Sequence, residues 1–360
     1  MGVHNKQPKE NHMNQELNEE IVAWLRQFKE KHSIAEITDN LERATNLKIL
    51  VIGDTIIDEY IYCDLIGRSL KESIPRVKYL STERFAGGVI AVANHLATFC
   101  DNVTMLTVLG VGSENENFIK SQLHKGIKSI FFKREDAVTV VNKRIVRKAF
   151  LEKVFGIYEI NDAPIQADLE AKIIEILDKI LLRHDLVIVI DYGFGLMTPA
   201  LIRKVVFKSN FLALNVQTNS VNLGFNLVTK YNKAGYISIS DPEIRLATNK
   251  KFAPLQELLP LVASKMESKL VTVTLGPAGS LSYDGKNFHA VPVFNTKPLD
   301  RVGAGDAYFA YSAPQAFLKV DPSIVGFFGN VAGGIAIDIV CNRNPVTAKV
   351  FLNFAKTLLK

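Results

Sequence analysis

The residues best suited to chemistry lie late in the chain, in Asp300-Arg301-Val302-Gly303-Ala304-Gly305-Asp306. Small residues let a backbone approach a ligand closely. The helix-like Ala307-Tyr308-Phe309-Ala310-Tyr311 follows. A helix beginning at the glycines points unpaired N–H groups at an anion. An Asp at the same turn would sit beside a bound phosphate, where it could take a proton from an attacking hydroxyl. The competing reading is a tight loop with a capping Asp.

Four further groups stand at the ends of apolar runs. Gly53-Asp54 followed by Asp58 offers carboxylates to sugar hydroxyls, or Asp54 caps the next element. Gly87-Gly88 precedes a helix-like stretch, as a close approach to a ligand or as a tight turn. Asp191-Tyr192-Gly193-Phe194-Gly195 follows a run ending at Ile190. Thr274-Leu275-Gly276-Pro277-Ala278-Gly279 could cradle a nucleotide or make a hairpin turn.

These groups need a scaffold. Leu47 to Asp54, Val103 to Leu109, Leu186 to Ile190, Phe211 to Val216, Tyr236 to Ile239 and Leu270 to Leu275 read as short buried strands. Helical stretches such as Ala167 to Leu182 and Leu255 to Lys265 alternate with them. The expectation is an α/β fold, a mostly parallel central sheet with helices on both faces, whose ligands bind beyond the carboxyl ends of the strands. Glu59 to Cys63, Ile74 to Leu80 and Val138 to Val146 alternate polar and apolar residues and predict a small β lid near 59–84 and 138–147. Residues 1–46 read as a helical extension. Leu17, Ile21, Leu25 and Phe28 recur at helical spacing, Ser33-Ile34-Ala35-Glu36 reads as a capping box, and the first dozen residues are expected to be disordered. Residues 47–360 form one large domain with its lid.

Composition removes several classes. The three cysteines are far apart without CxxC spacing, which excludes a disulfide framework and a cysteine-rich zinc site. No HxxxH or HExxH pattern predicts zinc, and no GxxxxGK[ST] loop predicts a P-loop kinase. The net charge of +6 is scattered rather than gathered in a stripe, so no nucleic-acid partner is expected. No apolar run suggests a membrane span and no h-region suggests secretion, so the expected compartment is the cytoplasm.

In their joint order the motifs resemble the ribokinase-like (PfkB) carbohydrate kinase family, and within it the heptose-phosphate kinases, over roughly residues 47–355. The carriers are Gly53-Asp54-x-x-x-Asp58-x-Tyr60, Gly87-Gly88, Asp191-Tyr192-Gly193-x-Gly195, Thr274-x-Gly276-x-x-Gly279, Asp300-x-x-Gly303-Ala304-Gly305-Asp306 and Asn330. Phe85 to Val89 and Gln217 to Ser220 also resemble the kinase-like half of proteins that fuse this fold to a nucleotidyltransferase. The resemblance implies ATP-dependent phosphorylation of a sugar or sugar phosphate. Asp306 would be the base, and the N–H groups of Gly303, Ala304 and Gly305 the anion hole. Asp54, Asp58, Gly87, Gly88 and Asp191 would line the acceptor pocket, with Lys71 and Arg144 as the lid cations for an acceptor phosphate. Thr274, Gly276, Gly279 and Asn330 would line the nucleotide pocket, and Glu243 would assist Mg²⁺ through water. It further implies a homodimer through the lid and a nucleotidyltransferase partner.

Four positions depart from the family pattern. Ala91 and Ser240 stand where Asn is usual, Phe194 where the subgroup has Lys, and Arg301 where Thr is usual. They imply an altered acceptor. The alternative they raise is a catalytically degenerate sensor or scaffold subunit that binds a sugar phosphate or nucleotide.

Overall fold

The computed structural model describes residues 19–69 and 71–360; Leu17 and the first dozen residues lie outside the described residues. Helices α1 (Glu19–Lys31) and α2 (Ile34–Thr45) lead into β1 (Lys48–Gly53), the long hairpin β2 (Thr55–Arg68) and β3 (Pro75–Gly88), and α3 (Val89–Leu96). Next come β4 (Asn102–Val111), α4 (Ser113–Gln122), β5 (Lys128–Val138), β6 (Val140–Arg147) and β7 (Glu152–Glu159). Then follow α5 (Ala167–Ile180), β8 (Leu186–Asp191), α6 (Pro199–Lys208), β9 (Leu212–Val216), β10 (Tyr236–Ser240), α7 (Asp241–Thr248), α8 (Leu255–Lys265) and β11 (Leu270–Thr274). The antiparallel strands β12 (Ser280–Tyr283) and β13 (Phe288–Val291) and helices α9 (Ala304–Phe317), α10 (Pro322–Ala336) and α11 (Ala348–Leu358) complete the described chain.

Among the described residues, nine strands form the main sheet in the order β13-β12-β11-β10-β9-β8-β1-β4-β5. The pairs from β11 to β5 are parallel, and β12 and β13 continue the sheet antiparallel. Burial on both faces explains the unbroken apolar runs: every residue of β8 and β9 is buried. One core holds α1, α2, α3, α9, α10 and α11 against the sheet, and a second holds α5, α6 and α8 on the opposite face. The N-terminal helices join the first core. Trp24 stacks on Phe28, and its Nε1 donates to Ala290 O at 2.8 Å.

The lid is a four-stranded sheet ordered β3-β2-β6-β7. Its strands are longer than the sequence pattern suggests, because β2 and β3 begin and end inside the body. β7 escaped the sequence reading: its residues are exposed or half-buried, so no apolar alternation marks it. The expected capping box at Ser33 is only half formed. Ser33 Oγ accepts from Glu36 N, but the Glu36 carboxylate turns to His32 Nδ1 at 3.1 Å. The same Ser-x-x-Glu pattern closes fully at Ser240 and Glu243, at the start of α7.

Candidate active site

The carboxyl ends of β1, β8, β9, β10 and β11 carry Asp54, Asp191, Gln217, Ser240 and Thr274 along one edge of the sheet. The N-terminus of α9 brings Asp306 to the same region. Gly303 is its N-cap, in the left-handed region at φ 87°, and a Cβ there would collide with Asn342 Oδ1. Gly305 differs: it is exposed, and a Cβ on it would meet nothing within 4 Å. The loop therefore needs glycine at 303 to fold, whereas Gly305 leaves open space at the first turn.

Asp306 is buried, and its Oδ1 accepts from Tyr192 Oη at 3.0 Å. Burial pushes its carboxyl up to about 7, with the Asp58 charge adding to the rise and the Tyr192 bond opposing it. A carboxyl so placed suits proton transfer near neutrality. Asp58 itself is buried and paired with Arg144 of β6. Gly87 lies across the hairpin from it, and a Cβ there would come within 2.7 Å of Asp58 Oδ2. Gly88, at φ 60°, would press a Cβ into Asp54 O.

Asp54 turns inward. Its Oδ2 accepts from Tyr192 N at 2.9 Å and Phe194 N at 3.4 Å. Burial, followed by the charge of Asp191, pushes its carboxyl up to about 7. Asp191 is fully buried and meets Lys230 Nζ and Tyr231 Oη at 2.6 Å each, with Gly193 N at 2.9 Å. Both carboxylates thus brace the site's floor, and each is matched by donors because unpaired burial of a charge is costly.

A second bracing point is Asp300, also buried. It accepts from Tyr60 Oη at 2.8 Å and Lys153 Nζ at 2.6 Å, both of the lid, and from Val302 N at 3.2 Å and Cys341 N at 3.1 Å. Burial alone would raise its pKa, but Lys153, Tyr60 and the Val302 amide hold it below the usual carboxylate range. The lid and the Gly303 loop therefore share one carboxylate.

The nucleotide-side expectations meet a different geometry. Gly276–Ala278 is an exposed single turn joining antiparallel β11 and β12, so Thr274 to Gly279 is a hairpin turn at the sheet edge. Asn330 is buried and its Nδ2 donates to Ser280 Oγ at 2.8 Å and Gly326 O at 3.0 Å, stapling α10 to β12. Its Nδ2 serves packing. Lys71 is a correction. It is exposed beyond the end of β2, ten residues or roughly 33 Å along the strand from Asp58 at about 3.3 Å per residue. It cannot share Asp58's pocket within one chain.

Glu243 is half-buried, and its two oxygens accept from Ser240 N at 2.6 Å and Thr218 N at 3.0 Å. Burial pushes its pKa up against those bonds, and its charge is felt by the Tyr192 phenol. Among the described residues no group of three or more His, Cys, Asp or Glu is arranged to hold a metal ion. Of the departing positions, Phe194 is buried against Ile56 and Val140, and Ala91 is buried in α3. His95 is a packed helix residue. Its Nδ1 accepts from Val346 N at 3.0 Å, and burial pushes its pKa down to about 4.

The sequence reading missed Lys153, Lys230, Asn342 and three asparagines. Asn219 and Asn222 donate to Tyr192 O at 2.9 and 2.7 Å, and Asn226 donates to Asp191 O at 3.0 Å. Three asparagines within eight residues were the available signal.

The model of the pfkB family carbohydrate kinases matches residues 200–339, a span holding Glu243, the Gly303 loop, Asp306 and Asn330. The fold agrees with solved kinases. Phosphofructokinase-2 from Escherichia coli superposes with a TM-score of 0.72 at 15% identity, over 87% of this chain and 100% of that one. Ribokinase from Thermotoga maritima gives 0.66 at 19% identity, over 86% and 99%. The fold is ribokinase-like. Among curated relatives, the bifunctional protein HldE of Citrifermentans bemidjiense is 25% identical over 84% of this chain, and that of Helicobacter pylori 25% identical over 81%. The chain spans 62% and 63% of the length of these two relatives. No helix among its described residues is long and apolar enough to cross a membrane.

Proposed function

We propose that this protein transfers the γ-phosphoryl group of ATP to a hydroxyl of a sugar phosphate, of the heptose-phosphate kind that its opening Gly53-Asp54-x-x-x-Asp58-x-Tyr60 pattern resembles. The observation that carries the reading is Asp306, buried at the N-terminus of α9 beside the open space at Gly305 and poised near neutrality. Asp306 accepts the proton of the acceptor hydroxyl. The N–H groups of Gly303, Ala304 and Gly305 face the transferring phosphoryl, whose charge they offset. Asp58, Gly87 and Gly88 border the acceptor. Arg144, already held by Asp58 on the lid's site-facing side, is the cation placed for an acceptor phosphate. Thr274, Gly276 and Gly279 border the nucleotide. Mg²⁺ supplies charge neutralisation on the phosphates when bound. Glu243, at the start of α7, would assist the ion through water.

The lid exposes Leu65, Ile66, Tyr79, Leu80, Phe155 and Ile157, which supports pairing of two lids in a homodimer. The similarity to the bifunctional HldE proteins supports a nucleotidyltransferase as a partner in the same sequence of reactions. Cytoplasmic residence follows from this substrate class.

The test is ADP release from Mg·ATP against a panel of sugars and sugar phosphates, heptose phosphates included, with Asp306→Asn alongside. Acceptor-dependent turnover that collapses in the variant is the expected result. Ligand binding without turnover on any acceptor would replace this reading with the sensor or scaffold.

A further inference from the structure

We propose that Tyr192 is a positioning residue for the base: its hydroxyl holds one carboxylate oxygen of Asp306 and so turns the other toward the acceptor hydroxyl. The inference rests on the kinase reading of Asp306. Tyr192 is held at three points. Its N–H donates to Asp54 Oδ2 at 2.9 Å, its carbonyl accepts from Asn219 and Asn222 at 2.9 and 2.7 Å, and its ring stacks on Phe194 with centroids 6.1 Å apart and planes 10° from parallel. Each tie comes from a different part of the chain: the end of β1, the loop after β9, and the turn after β8. Only the hydroxyl is left to act, and it meets Asp306 Oδ1 at 3.0 Å.

The chemistry suits a fixed donor. Burial, reinforced by the Asp306 charge, pushes the Tyr192 phenol well above its ordinary range, so it stays protonated and donates. A carboxylate with one oxygen held has the other free for one direction of attack, and such orientation is a large part of catalysis by positioned groups. The charged groups around the pair are Asp58 from β2, which raises Asp306, Arg144 from β6, which pairs with Asp58, and Glu243 from α7, which acts on the phenol. The arrangement also gives Phe194 a role. The aromatic side chain that stands in place of the subgroup's Lys forms the wall on which Tyr192 lies.

Tyr192→Phe removes the hydroxyl and leaves the stack and the backbone ties in place. The experiment follows the Asp306 carboxyl by infrared difference spectroscopy of the full chain through a pH titration, with the band assigned by its loss in Asp306→Asn. In the wild type the midpoint is expected near 7. In Tyr192→Phe the proton affinity rises about tenfold, so the midpoint moves up by about one pH unit. With an acceptor that turns over, kcat of Tyr192→Phe falls about tenfold at neutral pH, recovers partly as pH rises, and leaves KM for ATP within about twofold. An unmoved midpoint overturns the positioning role. Turnover that survives Asp306→Asn overturns Asp306 as the base instead, and the two failures are separate.

Discussion

The proposed acceptor and nucleotide sides of the cleft are built by opposite means. On the acceptor side four buried carboxylates, Asp54, Asp58, Asp191 and Asp306, each meet a donor of the protein: the Tyr192 amide, Arg144, Lys230 and the Tyr192 hydroxyl. On the nucleotide side the Gly276–Ala278 turn is exposed, Thr274 is half-buried, and Asn330 turns its amide inward to Ser280. One side is arranged by charge and the other by backbone shape. Charge buried before a ligand arrives costs stability and fixes direction; an open turn costs little and discriminates little.

Substitutions can break or sharpen this contrast. The largest effect belongs to Asp306→Asn, which loses about 10²–10⁴-fold in turnover in the ADP-release assay. The same variant carries a stability signature. The folded-state pKa of Asp306, about 7, lies above its ordinary 3.8, so the penalty of its buried charge is full above about pH 7 and the folded protein gains stability as pH falls from there toward 3.8. Asp306→Asn should therefore melt a few degrees above the wild type at pH 8, with the gap much narrower at pH 5, as read by calorimetry at the two pH values. A gap of equal size at both would mean that the carboxyl is not buried charged.

Next comes Lys230→Met, which leaves Asp191 buried without its cation. It should cost about 3 kcal/mol in denaturant unfolding, because removing one partner of a buried pair leaves the other uncompensated. Gly305→Ala separates folding from function. Nothing lies within 4 Å of the added Cβ, so stability should stay within about 0.5 kcal/mol while turnover falls about tenfold, a phosphoryl group being unable to approach the first turn as closely. Loss of stability there would show that the loop, not a ligand, needs the glycine. The smallest effect is expected from Gly276→Ala on the nucleotide side. The left-handed φ of 56° makes it cost about 1 kcal/mol, with no collision. If it destabilised as much as Lys230→Met, the contrast between the two sides would be gone.

Much of the scaffold was legible because parallel strands buried on both faces leave continuous apolar runs, and the site follows from where those runs end. What the sequence could not convey was reach. Lys71 and Arg144 are both lid cations, yet only Arg144, opposite Tyr60 on the β2–β6 ladder, reaches Asp58; Lys71 lies a strand's length away. Asp300 draws Tyr60 from 240 residues away and Lys153 from 147, so no local spacing announces it. The two Ser-x-x-Glu patterns make the same point. At Ser240 the box closes because the Thr218 amide takes the other oxygen of Glu243, and at Ser33 the His32 ring takes the Glu36 carboxylate. Asn330 stands out by its type in a helix of small residues, but a type at a position does not say which way an amide turns.

The most direct measurement is phosphorus NMR of Mg·ATP incubated with each sugar phosphate, for the wild type and for Asp306→Asn. The account predicts that one acceptor class yields ADP and a new sugar phosphomonoester in equal amounts with the wild type and neither with the variant. A new phosphomonoester formed equally by both proteins would contradict it.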